Sequence, residues 1–154
     1  MDATLTLVGP HGPVRGGSGR PDGRGGGGIA VLDVRHTLNL SWDTATGRAS
    51  GRRQHAPVVV TKEVDRSSPV LAQAWAQNLA FTTWTLEVFG VDGLGRRAPA
   101  YTLELRRAVV VQITLSAGHD AALPWEMVSF AYDRIVWTWP DGQVTASDDW
   151  ASTP

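Results

Sequence analysis

Four histidines, one short run of mixed charge and seven tryptophans are the residues of this chain that could do chemistry. His11, His36, His55 and His119 lack the HxH or HExxH spacing that sets two imidazoles on one metal, so no metal site is expected. His119-Asp120 reads as a loop contact, because no GxSxG elbow accompanies it. His55, close before Pro57, reads as a hydrogen-bonded structural histidine at a strand entry. Glu63 and Asp65 resemble an acidic pair, yet they precede a helix start, where the macrodipole favours carboxylates. Lys62 stands beside Glu63 and pairs with it locally or across a subunit boundary; an exposed pair is worth about 0–1 kcal/mol. Exposed indoles stack on sugar rings or fill protein interfaces, and Trp42, Trp125 and Trp150 are the candidates for exposure, whereas Trp75, Trp84, Trp137 and Trp139 fall on inward phases. The glycine-rich stretch Gly9–Gly28 has no GxxxxGK[ST] pattern and no helix after it, so it is not read as a phosphate cradle. The expectation is no enzyme and no cofactor.

Composition narrows the partners. A chain of 154 residues is one domain, large enough for a core without staples. It has no cysteine, which removes disulfides, thiolate nucleophiles and cysteine-based zinc sites. Fourteen Lys and Arg stand against fifteen Asp and Glu, a net charge of -1, so no field draws it to nucleic acid or anionic lipid. MDATLTLVGP has neither the basic start nor the apolar run of a secretory signal, and no later stretch reaches membrane-spanning length. The expectation is a chain made in the cytoplasm, with proteins as partners.

The elements follow from periodicity. Thr4–Val8 alternates as a strand, and Gly9–Gly28 is too rich in glycine and proline to pack, so a mobile loop is expected there. Ile29–Leu40 resumes a strand, with Ala30, Leu32, Val34, His36, Leu38 and Leu40 on one face and Ile29, Val31 and Asp33 on the other. Ser41–Gln54 is polar and reads as an exposed loop or arm carrying Arg48, Arg52 and Arg53. Val58–Val60 and Val109–Val111 are apolar on both faces, so each wants cover on both sides, and an intermolecular surface is inferred. Ser67-Ser68-Pro69 signals a helix from Pro69 to Asn78, with Leu71 and Trp75 facing the core and Asn78 a left-handed stop. Thr82–Phe89 and Tyr101–Leu105 form a hairpin around Asp92-Gly93. The last hairpin runs from Trp125; its apolar phase slips between Tyr132 and Ile135, which marks a bulge or a strand crossing between sheets. Pro140-Asp141-Gly142-Gln143 turns the chain, Val144–Ala146 returns, and Ala151–Pro154 frays.

Two blocks carry a family resemblance. His55, Pro57, Thr61, Lys62, Glu63, Asp65, Ser67, Ser68, Pro69 and Leu71 resemble the signature segment of the haemolysin-coregulated protein (Hcp) family of type VI secretion. Glu126, Val128, Phe130, Tyr132, Arg134, Ile135, Trp137, Thr138, Trp139, Asp141 and Gly142, ending in Asp148, Asp149 and Trp150, are similar to its last hairpin. The resemblance implies an all-β barrel of two antiparallel sheets with one short flanking helix. It further implies homohexameric rings stacked into the inner tube of a contractile machine, with a tube-tip spike protein, a contractile sheath and small effector proteins in the lumen as partners. Export would use a route that reads no signal peptide. The arm residues Trp42, Arg48, Arg52 and Arg53, with Val59, Lys62, Glu63 and Val110, are the expected subunit contacts. A related contractile particle's tail tube, a monomeric sugar-binding β-sandwich and a small barrel enzyme are the alternatives.

Overall fold

Alternating stretches become strands, and two sheets share one core. The computed structural model describes residues 1–17, 27–120 and 123–151. In chain order the elements are β1 (Ala3–Gly9), β2 (Gly12–Val14), β3 (Ile29–Val31), β4 (Asp33–Arg35), β5 (Leu38–Asp43), β6 (Arg48–His55) and β7 (Val58–Glu63). The helix α1 (Ser68–Ala76) follows, then β8 (Ala80–Phe81), β9 (Thr83–Val91), β10 (Arg97–Arg106), β11 (Ala108–Ser116), β12 (Trp125–Ala131), β13 (Arg134–Trp139) and β14 (Val144–Asp149). A seven-stranded sheet runs β14-β13-β10-β9-β1-β2 with β3 also on β1, and a five-stranded sheet runs β4-β7-β12-β11-β8. β5 and β6 form a separate two-stranded ribbon.

Leu5, Leu7, Trp84, Leu86, Leu103, Leu105 and Ile135 reach inward from the larger sheet, and Val58, Val60, Val110, Val128 and Phe130 from the smaller. Trp84 and Phe130 meet edge to face across the core, ring centroids 5.5 Å apart. Each such side chain contributes about 1.5–3 kcal/mol by leaving water.

The phase slip after Tyr132 is a crossing: β12 lies in the smaller sheet and β13 in the larger. A second crossing changes the reading of 29–40. β3 pairs with β1 while β4 pairs with β7, so the chain passes from one sheet to the other between Val31 and Asp33. Ile29 and Val31 fill the core, and the even residues Ala30, Leu32, Leu38 and Leu40 are exposed.

Four further expectations need correction. The stretch 9–28 is not wholly unpacked: β2 pairs with β1 and buries Val14, and Gly16 N–H donates to Gly27 O at 2.6 Å. Gly16 must be glycine, since a Cβ there would sit 2.6 Å from Gly28 O and 2.7 Å from Ile29 Cα. The rest of that expected loop, 18–26, lies outside the described residues, as do 121–122 and the chain end 152–154. The expected loop 41–54 is instead most of the β5–β6 hairpin, turned at Gly47. The helix starts as foreseen, and Asn78 ends it at φ 51. Leu71 and Ala74, however, are its buried residues, while Trp75 is exposed. Trp139 is also exposed, because it pairs with Val144 beyond the last β10–β13 pair, Thr102 with Thr138.

Candidate functional site

The β5–β6 ribbon is an arm without a core. Its root is closed by Ala56 N–H donating to Thr37 O at 3.0 Å. Leu38 lies opposite His55 and Leu40 opposite Arg53, so these side chains share a face. Leu38, Leu40 and Trp42 are 51%, 45% and 58% exposed. An isolated two-stranded hairpin is marginal in water, so this one depends on what holds its root.

A chain of polar contacts does that work. Arg53 donates through Nε and Nη2 to the two oxygens of Asp148, at 2.8 and 2.9 Å. His55 Nε2 lies 2.7 Å from Asp148 Oδ2, and its Nδ1 lies 2.6 Å from the Tyr132 hydroxyl. His36 Nε2 reaches the same hydroxyl at 2.7 Å. Trp150 stacks on His55 with ring centroids 5.3 Å apart and planes 5° apart, and its Nε1–H donates to Tyr132 O at 2.9 Å. Arg53 and His55 come from β6 and His36 precedes β5; Asp148 lies on β14 and Tyr132 at the crossing after β12. The arm is thereby clasped to both sheets.

The electrostatics follow from the contacts. The Arg53 hydrogen bonds, with help from His55, hold the Asp148 carboxyl down to about 2. Burial pushes the Tyr132 hydroxyl far above the ordinary phenol range, with the Asp148 charge adding to it. Burial, then the neighbouring His55, keeps His36 below the ordinary imidazole value. Because Asp148 is ionised and acceptor-only, neutral His55 carries its proton on Nε2 and accepts the Tyr132 O–H at Nδ1. His36 then donates from Nε2 to the tyrosine oxygen.

A second polar cluster sits under the helix start. Lys62 is 1% exposed, and its ammonium reaches Glu126 Oε1 at 2.6 Å, Asp65 Oδ1 at 3.1 Å, Ser68 Oγ at 3.1 Å and Glu63 O at 2.9 Å. Ser68 Oγ–H donates to Glu126 at 2.7 Å. Asp65 accepts from Gly17 N–H at 2.7 Å, which pins the start of the glycine-rich stretch to this corner. The serines of the Ser67-Ser68-Pro69 helix signal are used here: Ser67 donates to Asp65, and no side chain caps α1.

The expected contact residues therefore divide. Trp42, Arg48 and Arg52 are on the exposed arm, Glu63 is exposed and Val59 half-buried. Lys62 and Val110 are buried inside the chain, so neither presents a contact; Val111, at a bulge opposite β12, is the outward valine at 44% exposure. Arg53 is engaged by Asp148 of its own chain. His55, Tyr132, Asp148 and Trp150, drawn from the two blocks, meet in the clasp. Pro57 is exposed at the entry to β7, Thr61 pairs with both Asp33 and Met127, and Pro69 opens the helix. Trp137 is half-buried with its ring 6.4 Å from His55, and Asp141 and Gly142 form the exposed turn, Gly142 at φ 76. Sequence reading missed His36: its spacing to His55 carries no pattern, because the two meet only at the root of the β5–β6 hairpin, a stretch that reads as a loop from sequence. Among the described residues no group of three or more His, Cys, Asp or Glu could hold a metal. No helix among them is long and apolar enough to cross a membrane.

Among the described residues, two antiparallel sheets around one core, one short helix and a protruding β arm define an all-β protein. The family profile described as "Type VI secretion system effector, Hcp" matches residues 11–139. The Major exported protein of Pseudomonas aeruginosa is 29% identical over 130 residues, covering 80% of this chain and 76% of that protein. A mutant of Hcp1 from E. coli EAEC 042 superposes with a TM-score of 0.86 at 27% identity, covering 97% of this chain and 99% of that one. Secreted protein Hcp3 from Pseudomonas aeruginosa superposes at 0.77 with 26% identity, covering 96% and 99%. The chain belongs to the Hcp family, structural proteins of type VI secretion.

Proposed function

We propose that copies of this chain close head to tail into homohexameric rings, and that the rings stack as the inner tube of a type VI secretion system. The observation that carries this reading is the arm, whose Leu38, Leu40 and Trp42 stay largely exposed on a ribbon with no core of its own. Apolar residues regularly spaced on a projecting strand are what a neighbouring subunit would cover. A contact of arm to a different patch is heterologous, and a heterologous contact closes into a ring when the rotation allows. Exposed Arg48 and Arg52 would flank that contact, with Val59, Val111 and Glu63 as further outward positions. The work of the tube is mechanical: it is propelled by a contractile sheath behind a tube-tip spike protein, with small effector proteins in the lumen, and this chain breaks no bond. Synthesis in the cytoplasm and exit through the machine itself, without a signal peptide, complete the reading; a relative named for being exported supports it.

Light scattering after size-exclusion chromatography, at low and high salt, tests the ring. Six copies of a 16.5 kDa chain are expected in one peak, with a central hole in electron micrographs. A clean monomer at high concentration overturns it.

A further inference from the structure

We propose that the His36–Tyr132–His55 cluster is a proton-counting clasp: it holds the arm to the body with at most one added proton on its two imidazoles and lets go at the second. This concerns how the arm sits on its own chain, and it stands whether or not rings form.

The argument is a count of donors and acceptors around one hydroxyl. Tyr132 Oη has one proton to give and lone pairs to receive, and both His36 Nε2 and His55 Nδ1 lie within hydrogen-bond reach of it. With both rings neutral, His55 Nε2–H donates to Asp148, Tyr132 donates to His55, and His36 donates to Tyr132. Every polar atom at the hydroxyl is matched. When His55 takes a proton, it donates to Asp148 and to Tyr132, and the tyrosine turns its own O–H toward His36 Nε2, whose proton moves to Nδ1. The atoms at the hydroxyl are matched again, and the new charge lies beside the Asp148 carboxylate and against the Trp150 ring, which favours a cation. His55 is therefore the tolerated site.

A second proton, on His36, has no such accommodation. Both rings would then donate to the tyrosine oxygen, and the hydroxyl proton would lose both imidazole acceptors in a part-buried site. Two positive rings would stand with centroids 6.2 Å apart. Asp148 is the carboxylate in contact with the cluster, and it is already shared between Arg53 and His55. Among the described residues the neighbouring carboxylates are turned elsewhere: Asp33 pairs with Arg35, Asp133 pairs with Arg107, and Asp149, next along β14, points to the opposite face of the strand from Asp148, while Arg35 and Arg134 are themselves cations. Burial and His55 already keep His36 below its ordinary value, in agreement with this count.

The sign follows. The closed clasp binds fewer protons than the open one, so acid favours opening. The effect begins near the ordinary imidazole value of about 6.5 and grows by up to about tenfold in the opening constant per pH unit below it. Asp148, held to about 2, stays ionised throughout that window.

The chain has no cysteine, so spin labels go only where they are placed. Ala45→Cys on the arm turn and Ala146→Cys on β14, both exposed, give one arm-to-body distance by pulsed electron resonance, with labelled chain diluted in unlabelled. One narrow distance is expected at pH 7.5 and a broadened, longer distribution at pH 5.0. His36→Gln, which can still donate but cannot take a proton, is expected to stay narrow at both. Ring-nitrogen NMR shifts of the unsubstituted chain should show His55 protonating before His36. An unchanged distribution at pH 5.0, a His36→Gln variant that opens as the parent does, or His36 protonating first would each overturn the clasp.

Discussion

Lys62 is a cation with almost no water, answered by two carboxylates and a hydroxyl. Taking one partner away from such a group leaves the others charged and buried, which costs far more than the pair contributes when intact. Lys62→Met, which keeps the stem, should lower unfolding free energy by about 3–5 kcal/mol in urea titrations. Glu126→Gln should cost distinctly less, because Asp65 still faces the ammonium. A second residue-level prediction concerns acid. Arg53 holds Asp148 down to about 2. At Asp65 burial pulls upward, yet hydrogen bonds from the Ser67 hydroxyl, the Gly17 and Ser67 amides and Lys62 hold it below the ordinary range. Both carboxylates thus bind protons more weakly folded than unfolded. Their stabilisation is present above the ordinary carboxylate range and is lost as pH falls toward about 2. Melting temperatures taken from pH 5 to pH 2 should fall less steeply for Asp148→Asn than for the parent chain.

At the scale of elements, the nine-residue helix shows what sequence carries and what it hides. Ser-Pro at the start and Asn78 at the stop are local chemistry, so both ends were legible. Which face packs was not. Helical spacing puts Leu71 and Trp75 on one stripe, but a helix this short touches β11 along a narrow line through Leu71 and Ala74. The chain then folds back at once, with Leu79 N–H donating to Ala74 O at 3.0 Å, and Trp75 stays outside. Leu71→Ala should therefore cost about 2–5 kcal/mol, and Trp75→Ala no more than about 0.5 kcal/mol, in the same urea titrations. Long alternating strands such as β9 were readable because one face is core through Trp84, Leu86 and Val88. The stretch 29–40 was not, since an apolar phase normally marks the interior and here the sheet crossing between Val31 and Asp33 leaves the even members Ala30, Leu32, Leu38 and Leu40 exposed. The clasp was illegible for another reason: the β5–β6 hairpin brings His36 to His55 and Arg53, and only the tertiary fold brings Tyr132 and Asp148 to them. Its parts were nevertheless present in the two family blocks, apart from His36.

At the scale of the whole molecule, the proposed ring would join the arm to a different patch of the next copy, and that asymmetry has a measurable consequence. Trp42→Ala with Leu40→Ser should leave the body folded, because both side chains stand outside the core. Such a chain can still receive a neighbour's arm while offering none. In a heterologous ring each copy contributes one arm, so every defective copy opens one joint. Mixing one defective chain in ten with the parent should leave only about half the rings intact, roughly the sixth power of the intact fraction, if six joints must all close. An isologous pair would keep about four-fifths under the same mixing, because only two copies must be sound. Light scattering across a mixing series therefore separates a closed ring of arm-to-patch joints from a symmetric dimer, and the curvature of the loss counts the joints directly.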